Sequence, residues 1–406
     1  MRVYFIFWIA PTLQLGQSGS MREDWIQPIL DETKSKGLER SARVYPEAGG
    51  TFKIDGKKVL NFSSNDYLDL GHHRHVMDRS REALDQYGIG STASRLVTGT
   101  LPIHEELETR LAKEKGYESA LVFGSGYMAN AGTIPVLAGR DDIIFADKLV
   151  HASMIDAGKL SGAKLVRFAH NDPTALEKRL EQYSDSECRK LIITESVFSM
   201  DGDIAPLEEI SALAEKHGAM LMVDEAHASG TFGPNGAGLV RELGLENSVT
   251  VSMGTMSKAM AGYGGFVACS GNLRKLLVNS SRAFIYTTAL PPAVIGAALG
   301  IMDVLESSPR LGNILQANAD YFRSLLHDAG LDTLQSKSQI IPIVIGDNEK
   351  AVAVSQKLRD QGIIAAAIRP PTVPAGSARL RISVTLAHLV DDLEYTAKAI
   401  IKAVKG

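Results

Sequence analysis

From about Ser119 onward the chain alternates short apolar runs with longer helical patterns. The runs are ALVF (120–123), IIFA (143–146), KLVRF (164–168), LIITES (191–196), MLMVD (220–224), VTVSM (249–253) and GFVACS (265–270). Each is short and almost continuously apolar or β-branched, the pattern of a strand buried on both faces. One of the intervening helical patterns, PLEEISALAEKHG, has Pro206 in its first turn, and Leu207, Ile210, Leu213 and Ala214 share one face before Gly218 stops it. Alternation of this kind predicts an α/β fold, a mainly parallel central sheet flanked by helices. Such sheets bind ligands at the carboxyl ends of their strands.

The flanks read differently. After Pro291-Pro292 comes the helical stretch AVIGAALGIMDVLES, then strand IIPIVIG, helix AVAVSQKLRDQG, strand RLRISVT and helix DDLEYTAKAIIKAVK. The expected organisation is an N-terminal segment (21–65), a large domain (66–305) and a small C-terminal α/β domain (306–406). Residues 1–20 are apolar and aromatic, yet the run is too short to span a bilayer and no small-x-small cleavage pattern follows. They read as a disordered tail or an extension ahead of Met21, where the helix-like REDWIQPILDETKSKGLE begins.

Composition narrows the classes. The formal net charge is −4 and no polybasic stretch occurs, which argues against nucleic acid and anionic membranes as partners. Two cysteines, Cys188 and Cys269, in 406 residues suit reduced thiols in the cytoplasm.

The candidate chemistry gathers where the apolar runs end. Lys258 lies in SMGTMSKAMAGYGG, among small residues and glycines rather than the polar neighbours of a surface lysine. Burial and nearby cations lower a lysine pKa and free the amine for Schiff-base chemistry, although a lone lysine in a glycine-rich loop is more often merely solvated. Asp224 ends one run with His227 three residues on, His151 follows another, and Ser196, Ser199, Asp201 and Asp203 follow a third. A strand-end aspartate is as often a helix cap, and a loop histidine is usually unremarkable. Gly124, Ser125 and Gly126 separate a strand from a helix, where unpaired amides form an anion cradle. Together, a phosphate cradle, a strand-end acid, loop histidines and a secluded lysine are the parts of a pyridoxal phosphate site.

The motifs NFSSNDYL, GSTASRLVTG, ADKLVHASM, ESVFSMDGD, VDEAHASG, MGTMSKAMAG, IYTTALPP and IRPPTVPAGSARLRISVT extend this picture. In combination they are specific, and through them the chain from Met21 to Gly406 resembles the α-oxoamine synthase family of fold-type-I pyridoxal phosphate enzymes. The resemblance implies that Lys258 forms the Schiff base, that Asp224 faces the pyridine nitrogen, that His151 stacks on the ring, and that His227 and Ser199 reach its phenolic oxygen side. It implies phosphate contacts from the amides of Gly126 and Tyr127, from Thr255, and from Thr287 and Thr288 of the neighbouring subunit of a homodimer. Asn65 and Arg369 would contact the amino-acid substrate, with Thr372 in the same motif; no metal is implied. The last motif favours the branch that condenses L-alanine with a pimeloyl thioester, carried by coenzyme A or acyl carrier protein, over the branch that uses glycine and acetyl-CoA. An aminotransferase or lyase on the same fold would share Lys258 and Asp224 without needing the HAS and SRLVTG elements. A non-catalytic scaffold would tolerate losing Lys258. The chain departs from many members at Asp69 and Ala93, where glycine is frequent, at ASG (228–230) and in the segment after Lys258.

Overall fold

A computed structural model describes residues 23–406; the expectation for residues 1–20 lies outside them. The described residues divide into a short unit ending at Val44 and a large one, Tyr45–Gly406. The short unit carries one helix, Ile26–Ser35, with no buried side chain.

In the large unit, strands β1 (Thr51–Ile54) and β2 (Lys57–Asn61) open the chain as a hairpin. Then come β3 (Ser119–Phe123), β4 (Ile143–Asp147), β5 (Lys164–Phe168), β6 (Lys190–Glu195), β7 (Met220–Asp224), β8 (Val251–Thr255) and β9 (Gly265–Cys269). The C-terminal strands are β10 (Ile340–Gly346), β11 (Ile363–Ile364), β12 (Ala366–Ile368) and β13 (Ala378–Ser383).

Strands β3 to β9 are the seven predicted runs, and they form one seven-stranded sheet in the order β3-β9-β8-β7-β6-β4-β5. Only β9 runs antiparallel to its neighbours; the pairs β8–β7, β7–β6, β6–β4 and β4–β5 are parallel. Burial explains the runs: Leu191, Ile192, Ile193, Leu221, Met222, Val223 and Val251 are all sealed from solvent, so both faces of these strands favour apolar residues. The fold is therefore the α/β class that the alternation predicts.

Two smaller sheets complete the unit. One has the order β1-β2-β11, the other β10-β13-β12. The second brings Arg379 and Arg381 of β13 inward, where both are buried. Cys188 and Cys269 are both free thiols. Among the described residues no helix is long and apolar enough to cross a membrane.

Candidate active site

The carboxyl ends of β3, β4, β6, β7 and β8 lie along one edge of the sheet, and the candidate residues follow them. Register makes two of them neighbours: Glu195, last in β6, pairs with Asp224, last in β7, which pairs in turn with Met253 of β8. A cavity of about 220 Å³ lies at this edge. Its walls include Gly126, Tyr127, His151, Asp224, His227, Thr255 and Lys258, seven of the residues singled out from the sequence. A larger groove of about 460 Å³, lined by residues such as Glu105, Lys113, Tyr117 and Arg274, holds none of them. The chemistry therefore selects the smaller cavity.

Lys258 is the cavity's amine. Its Nζ lies 2.7 Å from His227 Nε2, and His227 Nδ1 lies 2.8 Å from the Tyr67 hydroxyl. Tyr67 can donate onward to Asn65 Oδ1 at 3.2 Å. Taken in that direction, from lysine to histidine to tyrosine to asparagine, every donor meets an acceptor. Burial pulls the Lys258 pKa down to about 8, against the carboxylates of Asp224 and Glu195 and with some help from Arg381. Burial also holds His227 far below its ordinary value, and the Lys258 and Arg381 cations add to this. His227 is thus a neutral imidazole beside an amine that sheds its proton near neutrality.

Asp224 is fixed from two sides. Asn130 Nδ2 donates to its Oδ2 at 2.9 Å, and the Ala226 amide donates to its Oδ1 at 2.9 Å. Glu195 is buried, and its Oε1 accepts the His151 amide at 2.5 Å. Burial, with the Asp224 charge beside it, raises the Glu195 pKa well above the carboxylate range. His151 caps the helix Ala152–Ser161, with its Nδ1 2.7 Å from Ser153 Oγ. Burial lowers its pKa, as does the Lys258 charge.

Gly126 begins the helix Gly126–Leu137, and Ser125 caps it by accepting the Met128 amide. The first amides of a helix have no intrahelical partner and favour an anion. The approach to this cradle is tight: a Cβ at Gly265 of β9 would lie 2.6 Å from Ser125 O. Thr255, across the cradle, donates to Gly264 O at 2.7 Å and lies 2.7 Å from Ser257 Oγ. The residues present thus fit a phosphate-bearing cofactor with a carbonyl. They offer an anion cradle at one end, a fixed carboxylate at the other, and a half-buried amine on the wall.

The remaining predicted residues lie elsewhere. Ser199 is not part of the cavity wall; its carbonyl accepts Arg381 Nε at 2.7 Å. Asn65 Oδ1 is 3.5 Å from both terminal nitrogens of Arg381, and so joins the site through Tyr67 and that arginine. Arg369 and Thr372 sit in the turn after β12, where the Thr372 amide donates to the Arg369 carbonyl at 3.1 Å. Thr287 and Thr288 line a separate recess with Arg95, His104 and Phe284, and Thr288 bridges to Ser94.

Glu195, Asn130, Tyr67 and Arg381 escaped the sequence reading. Glu195 carried a usable signal, because it ends LIITE as Asp224 ends MLMVD. Arg381 carried another, since an arginine in a buried strand is rare without a role.

The loop after Lys258 is strained. Ala261 has φ 41°, and its amide donates to the Lys258 carbonyl at 2.8 Å. Asp69 has φ 56°. A left-handed conformation costs an L-residue about 1–2 kcal/mol that glycine avoids. Ala261→Gly is accordingly expected to stabilise the protein by about 1 kcal/mol, after allowing for glycine's freedom in the unfolded chain. A urea midpoint below that of the parent would contradict this.

Comparisons with known proteins identify the family and the fold. The family model described as aminotransferase class I and II matches residues 57–400. An 8-amino-7-oxononanoate synthase from Geobacter sulfurreducens is 43% identical over 376 residues, 92% of this chain and 96% of the relative. A solved serine palmitoyltransferase from S. paucimobilis with a bound PLP–myriocin aldimine superposes with a TM-score of 0.88 at 33% identity, covering 95% of this chain and 98% of that one. The crystal structure of an 8-amino-7-oxononanoate synthase from Francisella tularensis gives 0.74 at 31% identity, covering 86% of this chain and 98% of that one. The chain belongs to the class I and II aminotransferase family and, within it, to the 8-amino-7-oxononanoate synthase branch of the α-oxoamine synthases.

Proposed function

We propose that this protein uses pyridoxal 5'-phosphate to join L-alanine to a pimeloyl thioester, releasing CO2 and the free thiol and giving 8-amino-7-oxononanoate for biotin biosynthesis. The observation that carries the reading is the Lys258 amine, 2.7 Å from a neutral His227 in a cavity that Asp224 also lines. Bound there, pyridoxal phosphate supplies an aldehyde for an amine and a protonated pyridine ring that draws electrons from the substrate's Cα.

The chain's own groups do the rest. Lys258 would hold the cofactor, and its free amine would take the Cα proton of alanine. A pKa near 8 keeps enough free base for that task at neutral pH. Asp224 keeps a proton on the ring nitrogen. The amides of Gly126 and Tyr127, with Thr255, hold the phosphate, and His151 covers the ring. His227 is the group within reach of the departing Lys258 proton. Asn65 and Arg369 bind the alanine carboxylate, with Thr372 beside them. A C–C bond forms between Cα and the thioester carbonyl, the C–S bond breaks, the carboxylate leaves as CO2, and Cα regains a proton.

A donor panel tests the reading. Free thiol release is expected with L-alanine and pimeloyl-CoA or pimeloyl-acyl carrier protein, well above that with glycine and acetyl-CoA. The reverse order would move the protein to the glycine-using branch.

We further propose a homodimer, working in the cytoplasm, in which Thr287 and Thr288 serve the partner's phosphate. Their recess is separate from the cavity holding Lys258, and the neighbouring Tyr286 is 71% exposed, an apolar ring left for a partner to cover. Closed twofold dimers are also the commonest soluble oligomers. Thr287→Val/Thr288→Val should weaken cofactor affinity while the fold stays intact. Mixed with Lys258→Ala, it should regain part of the lost activity, because a hybrid dimer holds one site with neither defect. No recovery after proven subunit exchange would return both threonines to their own subunit.

A further inference from the structure

His170 lies between β5 and the helix Pro173–Glu181, and it does not line the cofactor cavity. Its Nδ1 is 3.0 Å from Asp147 Oδ1, and its Nε2 is 2.8 Å from Asp203 Oδ2. Carboxylates accept and do not donate, so both ring nitrogens need a hydrogen; a neutral imidazole has only one. Both aspartates are buried, and Asp203 Oδ1 has no hydrogen-bond partner of its own. A buried carboxylate left uncompensated is costly, and the imidazolium is the cation at hand.

The other charged groups agree. Arg167 on β5 donates to the carbonyls of Asp147 and Lys148, and Arg379 on β13 pairs with Asp201. The carboxylates of Asp147, Asp201 and Asp203 are balanced by Arg167, Arg379 and His170 only if the imidazole is charged. Burial works against that charge, but the hydrogen bonds and charges of Asp147 and Asp203 outweigh it and push the pKa up to about 10. His170, Asp201 and Asp203 are also close enough to hold a metal ion. A ring with hydrogen on both nitrogens has no lone pair to offer one.

What the cation holds is the loop 196–203. Phe198 stands edge-on to the His170 ring at 4.4 Å, and the Phe198 amide donates to Asp203 O at 3.0 Å. Glu195 directly precedes this loop, and within the loop the Ser199 carbonyl accepts Arg381 Nε at 2.7 Å. Glu195 in turn grips the His151 amide, and Arg381 reaches toward Tyr67 and Asn65. We propose that His170 is a positioning residue for the reaction, a fixed imidazolium clamped between Asp147 and Asp203 that sets the loop through which Glu195 and Arg381 are placed. Its bearing on turnover rests on the function proposed above; its charge and its hold on the loop do not.

Three measurements on the full chain test this. The imidazole nitrogens of the cofactor-free protein, labelled with 15N histidine, are recorded from pH 6 to 9. One histidine should remain doubly protonated at pH 9; if every histidine is neutral there, the proposal fails, and no variant is needed to learn it. His170→Gln should speed hydrogen exchange across 196–204 by about tenfold or more and lower kcat about tenfold, with His170→Lys restoring much of both. Unchanged loop exchange and kcat in His170→Gln would overturn the proposal, as would equal impairment in the charged and neutral variants. If His170→Gln does not fold, the 15N result and the loop exchange of His170→Lys decide, parent-like exchange being the expected outcome and parent-unlike exchange the contrary one. A parent protein with no condensation activity would defeat the function reading and leave the 15N and exchange results standing.

Discussion

Lys258→Ala should lower turnover by at least about a thousandfold and leave the cofactor without a covalent anchor. Two roles disappear together. As general base alone the amine is worth about 10²–10⁴-fold, and among the described residues no other lysine lines the cavity to replace it. The electrostatics add a pH signature. The Lys258 pKa is pulled down to about 8, so the reactive free base grows as pH rises and saturates above that value. Cofactor capture by the apo-protein should therefore accelerate between about pH 7 and 9 and then level off. Borohydride that still fixes the cofactor to Lys258→Ala would contradict the assignment. So would capture that keeps accelerating toward pH 10, because it would mean an ordinary surface amine.

Asp224→Asn should slow removal of the alanine Cα proton by about a hundredfold or more while the protein stays folded. The substitution keeps the shape and removes the charge. Asn130 Nδ2 and the Ala226 amide now hold that carboxylate in place, so the negative charge is aimed rather than incidental. Without it a proton on the ring nitrogen is no longer favoured, and the electron withdrawal on which deprotonation depends is weakened. A hundredfold loss corresponds to about 2.7 kcal/mol of transition-state stabilisation, a plausible size for one buried ion pair. The readout is exchange of the L-alanine α-proton with deuterated solvent, without acyl donor. Near-parental exchange would remove Asp224 from this role.

Much of this was legible in the sequence. Most strands of the main sheet announced themselves because burial on both faces favours apolar residues, which leaves apolar runs such as MLMV and LII. Lys258 stood out because small residues crowd it, and Asp224 because it ends a run. The hairpin Thr51–Asn61 gave no comparable signal because half of β1 and part of β2 are exposed, and β11 and β12 gave none because they are only two and three residues long. Glu195 is followed at once by Ser196, Ser199, Asp201 and Asp203, among which one more strand-end acid does not stand out. Tyr67 and Arg381 were hidden for a different reason. Their parts depend on a contact between residues 314 apart, which no local pattern encodes. The strain at Ala261 was likewise invisible, since only the backbone angle reveals it.

The most direct test of the proposed reaction follows the carboxyl carbon of alanine. The holoenzyme is incubated with L-alanine labelled with 13C at C1 and with pimeloyl-CoA or pimeloyl-acyl carrier protein. The account predicts one labelled CO2 and one free thiol for each molecule of unlabelled 8-amino-7-oxononanoate. Label retained in the product, or thiol release with neither CO2 nor amino ketone, would contradict it.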